Sequence, residues 1–201
     1  MKKLSNVLVL IVFSLGIVTV ASAQARFGVK AGLNLANVSG DEVEDNKMLP
    51  TFMVGGVAEF GLGGSGLGLG VGLQLHGKGA KFDDGTETGS VNPFYLQIPV
   101  QLTYRNSGIF VGAGPYAAFG IGGKTKFGSD SESISFGSSE DSDLSSIDFG
   151  AGLELGYEFS QFRATASYNL GLSNIIPKDY SDVTVKHNVI GISLAYLFGG
   201  E

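Results

Sequence analysis

The two histidines are the first candidates for chemistry in this chain. His76 lies a few residues before Asp83 and Asp84, and His187 lies near the C-terminus. A histidine beside a carboxylate can act as a general base. Neither histidine stands in a spacing typical of a catalytic set, and the chain has no cysteine nucleophile. We expect both histidines to be polar residues at the outer rim of the fold, and we predict no catalytic residues and no enzyme activity.

Two acidic runs are candidates for a divalent-cation site. Residues 41–45 read DEVED and residues 138–143 read SSEDSD, and carboxylates are the hard oxygen ligands that Ca²⁺ prefers. Neither run has the EF-hand spacing with its central glycine. The absence of cysteine excludes thiolate zinc sites and Fe–S clusters. We expect a solvated acidic rim, with a docking surface or a cation site as the alternative, and we predict no bound metal and no cofactor.

A glycine-rich segment over residues 61–72 reads GLGGSGLGLGVG. It resembles a phosphate-binding loop only superficially, because a dinucleotide fingerprint needs a helix directly after it. Here an alternating apolar pattern continues instead. The segment therefore predicts a tight turn followed by a strand with small residues on one face.

The composition indicates a single folded domain. Of 201 residues, 43% are hydrophobic and 16% are charged, whereas a disordered chain has low hydrophobicity and high charge. Glycine occurs 32 times, but without the three-residue period of collagen. The net charge of −6 argues against nucleic acid as a partner, because phosphate backbones attract basic proteins.

Residues 1–23 have the pattern of an export signal. A short basic start precedes an apolar run over residues 4–20, and the small residues ASA stand before Gln24. We expect cleavage after Ala23, which leaves residues 24–201 as one domain. The alternative is a membrane-anchoring helix, for which the apolar run is short.

The rest of the chain alternates between apolar and small or polar residues with the period of two that is typical of β-strands. We predict eight strands, over residues 27–35, 51–62, 67–76, 94–104, 109–121, 147–159, 162–172 and 190–198. Most are longer than the usual globular strand of about 5–6 residues and fit the roughly 9–11 residues that cross a bilayer. The pattern predicts an all-β fold, an eight-stranded antiparallel up-and-down transmembrane β-barrel.

The two faces of these strands predict which side contacts lipid. One face is strongly apolar, and the other is rich in glycine, serine and alanine, which suits the narrow interior of an eight-stranded barrel. Lys30, Glu59, Glu154 and Arg163 fall on the small-residue face and should pair inside the barrel, because unpaired buried charge is costly. We expect them to form a structural polar core. A gated pore and a soluble lipocalin-like carrier remain as alternatives.

The connections alternate between short and long. Short turns are expected around residues 63–65, 106–107 and 160–161, and long loops over 37–50, 79–92, 122–145 and 173–186. Outer-membrane barrels have short periplasmic turns and long external loops. We therefore expect both termini in the periplasm and the long loops outside the cell. The third loop, rich in serine and glycine, is expected to be mobile.

These features resemble a known family. The export signal, the eight strands, the segment Tyr95–Val100 (YLQIPV), the segment Gly112–Tyr116 (GAGPY) and the aromatic last strand together resemble the PorT-like outer-membrane β-barrel family of Bacteroidota, which are small OmpA-like barrels. The resemblance implies an outer-membrane location and, for the founding member, a part in type IX protein secretion. It supplies no catalytic residues. Phe198 is followed by three further residues, whereas such strands commonly end in the aromatic residue.

We therefore predict a non-enzymatic integral outer-membrane barrel, structural or accessory to a secretion or surface complex. Its expected partners are outer-membrane lipid, the barrel-assembly machinery and other envelope proteins, and not nucleic acid. The alternative is a narrow channel or a small-solute-binding barrel.

Overall fold

Eight long strands dominate the computed structural model, which describes residues 25–40, 46–83, 88–128, 130–139, 141–177 and 183–199. The predicted export signal lies outside these residues. Within them, no helix is long and apolar enough to cross a membrane. The strands are β1 Ala25–Gly40, β2 Leu49–Gly61, β3 Leu67–Gly77, β4 Thr88–Asn106, β5 Ile109–Phe127, β6 Ile147–Phe159, β7 Phe162–Gly171 and β8 Val185–Phe198.

The strands close into a ring. Each strand pairs antiparallel with the next, and β1 pairs with β8 from Phe27 opposite Phe198 to Gly40 opposite Val185. Closure satisfies the backbone N–H and C=O groups of both strands that would otherwise form edges. The predicted eight-stranded antiparallel barrel is confirmed.

Apolar side chains point outward from the ring and polar or small ones point inward. In β6, Phe149 and Leu155 are exposed whereas Asp148 is fully buried. In β8, Ile192 is 63% exposed and lies opposite Leu33 of β1 and Ala166 of β7. A soluble barrel would present the reverse arrangement, so the outer face is suited to lipid.

The two ends of the barrel differ. At one end, here called the turn end, residues 62–66, 107–108 and 160–161 make short connections, and β1 begins and β8 ends there. Ser107 and Ser160 adopt positive φ angles of 50° and 56° to close two of these turns. The opposite end, called the loop end, has the longer connections 41–48, 78–87, 128–146 and 172–184.

The strands extend further towards the loop end than the sequence predicted. The long loops were expected to begin at residues 37 and 122, but β1 continues to Gly40 and β5 to Phe127. The prediction failed because these segments lack apolar alternation, although their backbones still pair; Gly89, for example, lies opposite Phe127. Short strands also form within the loops, at Asn46–Lys47, Ala80–Asp83, Asp130–Ser133, Phe136–Gly137 and Leu144–Ser145.

A compact apolar cluster covers the loop end. We call it the loop cap; it consists of Val38, Ala80, Ile134, Leu144 and Ile175, with Phe82, Val91, Phe136 and Val185 packed against it. Ile134 and Leu144 belong to the third loop, for which the sequence suggested mobility. These two apolar side chains gain burial at the loop end, whereas most other described residues of the loop are exposed. The expected mobility of the loop stays a prediction.

One residue of the acidic run at 138–143, Asp143, forms hydrogen bonds within the third loop. The Asp143 carboxylate accepts hydrogen bonds from the backbone N–H of Ser135 at 2.7 Å and from its hydroxyl at 2.8 Å. Asp143 thus ties the two sides of the third loop together. Its Oδ2 atom accepts both of these hydrogen bonds within the chain.

Candidate functional site

The lumen is the candidate functional site, because the polar side chains of the barrel wall converge in it. At the turn end, Arg163 of β7 forms two hydrogen bonds with Glu59 of β2 across the lumen, one of them 2.8 Å long. Arg163 also donates through Nε to Glu158 at 2.8 Å, and Arg26 donates to Glu158 at 3.0 Å. The Arg163 guanidinium lies 3.6 Å from the centroid of the Phe110 ring. We call Arg26, Glu59, Glu158 and Arg163 the turn-end network.

A second ion pair lies further along the lumen. The ammonium of Lys30 donates to Glu154 at 2.7 Å, and Lys30 is buried. All four inward charges that the sequence singled out therefore lie inside the ring and have partners of opposite charge. Sequence reasoning did not single out Arg26 and Glu158, although both fall on the same face of their strands.

Small cavities flank the Lys30–Glu154 pair. One of about 20 Å³ reaches towards Arg163, and one of about 10 Å³ reaches towards His76. Both are lined by Lys30, Glu154 and Gln74. A water molecule needs roughly 10–15 Å³ of such space, so each cavity has room for about one water and none for a larger solute.

A third group of polar side chains lies at the loop end. The Lys78 ammonium is 2.8 Å from Asp148 Oδ2, and the His187 Nδ1 atom is 3.3 Å from the same oxygen. Ser173 donates to Asp148 Oδ1 at 2.8 Å. These side chains are buried, those of Lys78 and Asp148 completely. We call Lys78, Asp148, Ser173 and His187 the loop-end cluster.

The rim position expected for the two histidines is wrong. His187 is 1% exposed and contacts Asp148, while His76 is 2% exposed and lies 3.3 Å from the Asn34 amide nitrogen. His76 faces the lumen, where it lines the cavity of about 10 Å³. The strand β8 begins at Val185, five residues before its predicted start, and His187 packs edge-on against Tyr95 inside the ring. Asp84 lies outside the described residues, as does the side chain of Asp83.

The loop-end cluster lacks the arrangement of a catalytic triad. In a triad the histidine stands between the nucleophile and the carboxylate and takes the proton of the hydroxyl. Here Asp148 stands in the middle, and the Ser173 hydroxyl donates to its carboxylate. Ser173 Oγ also accepts the N–H of Phe149 at 2.9 Å. These contacts tie the connection after β7 to β6 through Ser173.

Metal ligands are not assembled in the part of the chain that the structure covers. Among those residues, no group of three or more histidine, cysteine, aspartate or glutamate side chains could hold a metal ion. The acidic run at 41–45 lies outside the described residues, so the alternative of a cation site there stays a prediction.

Comparison with known proteins places this geometry in a family. Residues 21–177, more than half of the chain, match the family described as outer membrane protein beta-barrel domain. A comparison with curated proteins gave no match.

A solved structure of a bacterial surface protein has the same fold. Neisserial surface protein A (NspA), known from a crystal structure, has 12% sequence identity to this chain and a TM-score of 0.54. The alignment covers 86% of this chain and 97% of that one. A weaker likeness is the N-terminal β-barrel domain of Pseudomonas aeruginosa OprF, with 13% sequence identity and a TM-score of 0.40 over 88% of this chain and 100% of that one. Outer membrane protein AlkL in DMPC lipid bilayers has 10% sequence identity and a TM-score of 0.38 over 88% of this chain and 91% of that one. The chain belongs to the outer membrane protein β-barrel domain family, and its location is the outer membrane.

Proposed function

We propose that the protein is a non-enzymatic outer-membrane barrel with a closed lumen, acting as a structural component or as an accessory to a secretion or surface complex. The observation that carries this proposal is the filled interior. The turn-end network, the Lys30–Glu154 pair and the loop-end cluster occupy three successive levels. The cavities between them measure about 20 and 10 Å³, room for about one water molecule each.

The proposed orientation has the turn end in the periplasm and the loop end outside the cell. Short periplasmic turns and long external loops are the rule in this class of barrel. Aromatic rings around the turn end support a membrane interface there. Phe159 stacks on Phe162 at 5.9 Å and Phe162 contacts Tyr196 at 5.3 Å between ring centroids. Residues 1–23 would direct export before this arrangement forms.

The proposed partners follow from the same orientation. Outer-membrane lipid covers the apolar wall, and the barrel-assembly machinery inserts it. Other envelope proteins would bind at the loop end or the turns, as expected for a PorT-like accessory of secretion. The net charge of −6 supports partners other than nucleic acid.

Crosslinking in intact cells tests the accessory role. The tagged chain is crosslinked, purified from the outer-membrane fraction, and its companions are quantified against those of an unrelated tagged outer-membrane barrel expressed at the same level. The proposal predicts stoichiometric capture of envelope proteins that the control does not capture. Recovery of the chain alone would contradict the accessory role.

A narrow solute pathway is the second candidate, favoured by one observation. The two cavities share Lys30, Glu154, Gln74, Gln101 and Pro99 as walls, so they adjoin along the barrel axis. Efflux of glycine from proteoliposomes tests this candidate. Efflux above that of empty liposomes, at a rate that grows with the amount of protein, would favour a pathway over the closed barrel.

A further inference from the structure

Lys78 is held inside the barrel by its backbone. It lies between β3 and the short strand Ala80–Asp83, and its N–H donates to the carbonyl of Pro93 at 3.0 Å. Its two neighbours must be glycine. A Cβ at Gly77 would lie 1.9 Å from Thr51 Oγ1, and Gly79 has a φ of +111°. The Gly77–Gly79 segment therefore packs against the wall and directs the lysine side chain inward.

The Lys78 ammonium occupies a cage of two aromatic rings and one carboxylate. Its nitrogen lies 4.2 Å from the centroid of the Tyr116 ring, 5.4 Å from that of Tyr95 and 2.8 Å from Asp148 Oδ2. These three groups belong to β5, β4 and β6. The strand that precedes Lys78 contributes none of them.

Contacts that do not involve Lys78 hold the cage in place. Tyr95 donates its hydroxyl to the carbonyl of Ser145 at 3.4 Å and meets the edge of the Phe136 ring at 5.5 Å. Asp148 is fixed by Ser173 and His187. Residues of the connections 128–146 and 172–184, together with His187, therefore hold Tyr95 and Asp148 in place without Lys78.

Two aromatic faces and a buried carboxylate are a chemical match for an ammonium group. The negative faces of the rings attract a cation, most strongly where water is excluded, and the carboxylate neutralises its charge. We propose that Tyr95, Tyr116 and Asp148 form a binding site for an alkylammonium group, which the chain keeps filled with its own Lys78. Tethering gives Lys78 a high effective concentration, so free amines do not displace it from the wild-type protein.

Replacement of the tethered ligand by a free one tests the site. The Lys78→Ala variant lacks three side-chain carbons and the nitrogen, and propylammonium supplies the same four heavy atoms. We expect propylammonium to raise the unfolding midpoint of this variant in detergent towards the wild-type value. We also expect upfield shifts of the propylammonium methylene resonances from the tyrosine rings. Wild-type protein should show neither effect.

Two controls separate ammonium recognition from the filling of a cavity. 1-Propanol has the same number of heavy atoms but no charge, and it should stabilise Lys78→Ala much less. The double variant Lys78→Ala with Asp148→Asn retains both rings without the carboxylate charge, and it should lose most of the propylammonium effect. Equal stabilisation by 1-propanol and propylammonium, or none by either, would overturn the proposal.

Refolding yield provides a second measurement if Lys78→Ala does not fold alone. The variant is refolded from urea into detergent with propylammonium or 1-propanol present, and the folded fraction is read from its mobility on unheated gels. The proposal predicts a higher yield with propylammonium. A yield no higher than with 1-propanol would contradict it.

Discussion

Arg163 of β7 and Glu59 of β2 form a double hydrogen bond across the lumen, although β8 and β1 lie between their strands in the ring. Both side chains are buried, and the guanidinium lies over the Phe110 ring. Arg163 also bonds Glu158. One planar group thus joins two carboxylates from opposite sides of the barrel and closes its turn end.

Removal of the Arg163 charge should strongly destabilise the barrel. Arg163→Met leaves the carboxylates of Glu59 and Glu158 buried with less positive charge beside them. Loss of one partner of a buried ion pair lowers the free energy of unfolding by about 3–5 kcal/mol. Arg163→Lys should recover only part of that loss, because a lysine cannot reproduce the two-pronged geometry. Urea unfolding of the reconstituted protein measures both variants.

Arg105→Met is the matched control for Arg163→Met, because Arg105 lies near the same end of the barrel and is only half-buried. Its effect on the free energy of unfolding should stay within about 0.5 kcal/mol. Equal stability of Arg163→Met and Arg105→Met would contradict the assigned importance of the turn-end network.

Asp148 should be the most sensitive position at the loop end. Asp148→Asn keeps the shape of the side chain but leaves the fully buried Lys78 ammonium without its counter-charge, so a loss of about 3–5 kcal/mol in unfolding free energy is expected. Ser173→Ala removes one hydrogen bond from the same carboxylate and should cost about 1 kcal/mol. A smaller loss for Asp148→Asn than for Ser173→Ala would show that the Lys78 pair contributes little.

Two glycines of β5 offer a test of the loop cap. A Cβ at Gly120 would lie 2.2 Å from a ring carbon of Phe136, whereas a Cβ at Gly122 would meet nothing within 4 Å. Gly120→Ala should therefore displace Phe136 from Tyr95 and speed amide exchange at Ile134, whose N–H donates to the carbonyl of Gly123. Gly122→Ala should leave that exchange unchanged. The same exchange rate in both variants would mean that Phe136 does not secure the cap.

Much of the barrel could be predicted from the sequence because strand alternation is a local property. The bounds of β6, 147–159, agree with the expected ones. Lys30, Glu59, Glu154 and Arg163 form ion pairs in the lumen. The sequence indicates that the partners of these four charges also lie on the inward face. It does not indicate which inward residue pairs with which. The stagger of the closed ring decides which inward residues meet, and no short sequence window contains that information.

The loop-end cluster was missed for related reasons. Lys78 lies outside the alternating segments, and Asp148 is 70 residues away in the chain. The histidines were placed at the rim because apolar alternation stops near them. The available signal was the sequence Gly77-Lys78-Gly79, in which two glycines allow a close backbone approach beside a charged side chain.

The outward direction of Ile192 can be tested by placing a charge there. Ile192 lies in the middle of β8 and is 63% exposed, and an arginine on the lipid face costs about 2–4 kcal/mol near the bilayer midplane. Ile192→Arg should reduce the folded protein recovered from the outer membrane, whereas Ile192→Ala should not. Wild-type recovery of Ile192→Arg would mean that this face does not contact lipid.

Single-channel recording in planar bilayers tests the central claim, the closed lumen, most directly. Purified wild-type protein is reconstituted beside a general porin that serves as a positive control. With the turn-end network, the Lys30–Glu154 pair and the loop-end cluster in place, the account predicts no steady current steps from the wild-type chain under conditions in which the porin conducts. Reproducible steps of defined amplitude from the wild-type chain would contradict the closed lumen and establish a conducting path through the barrel.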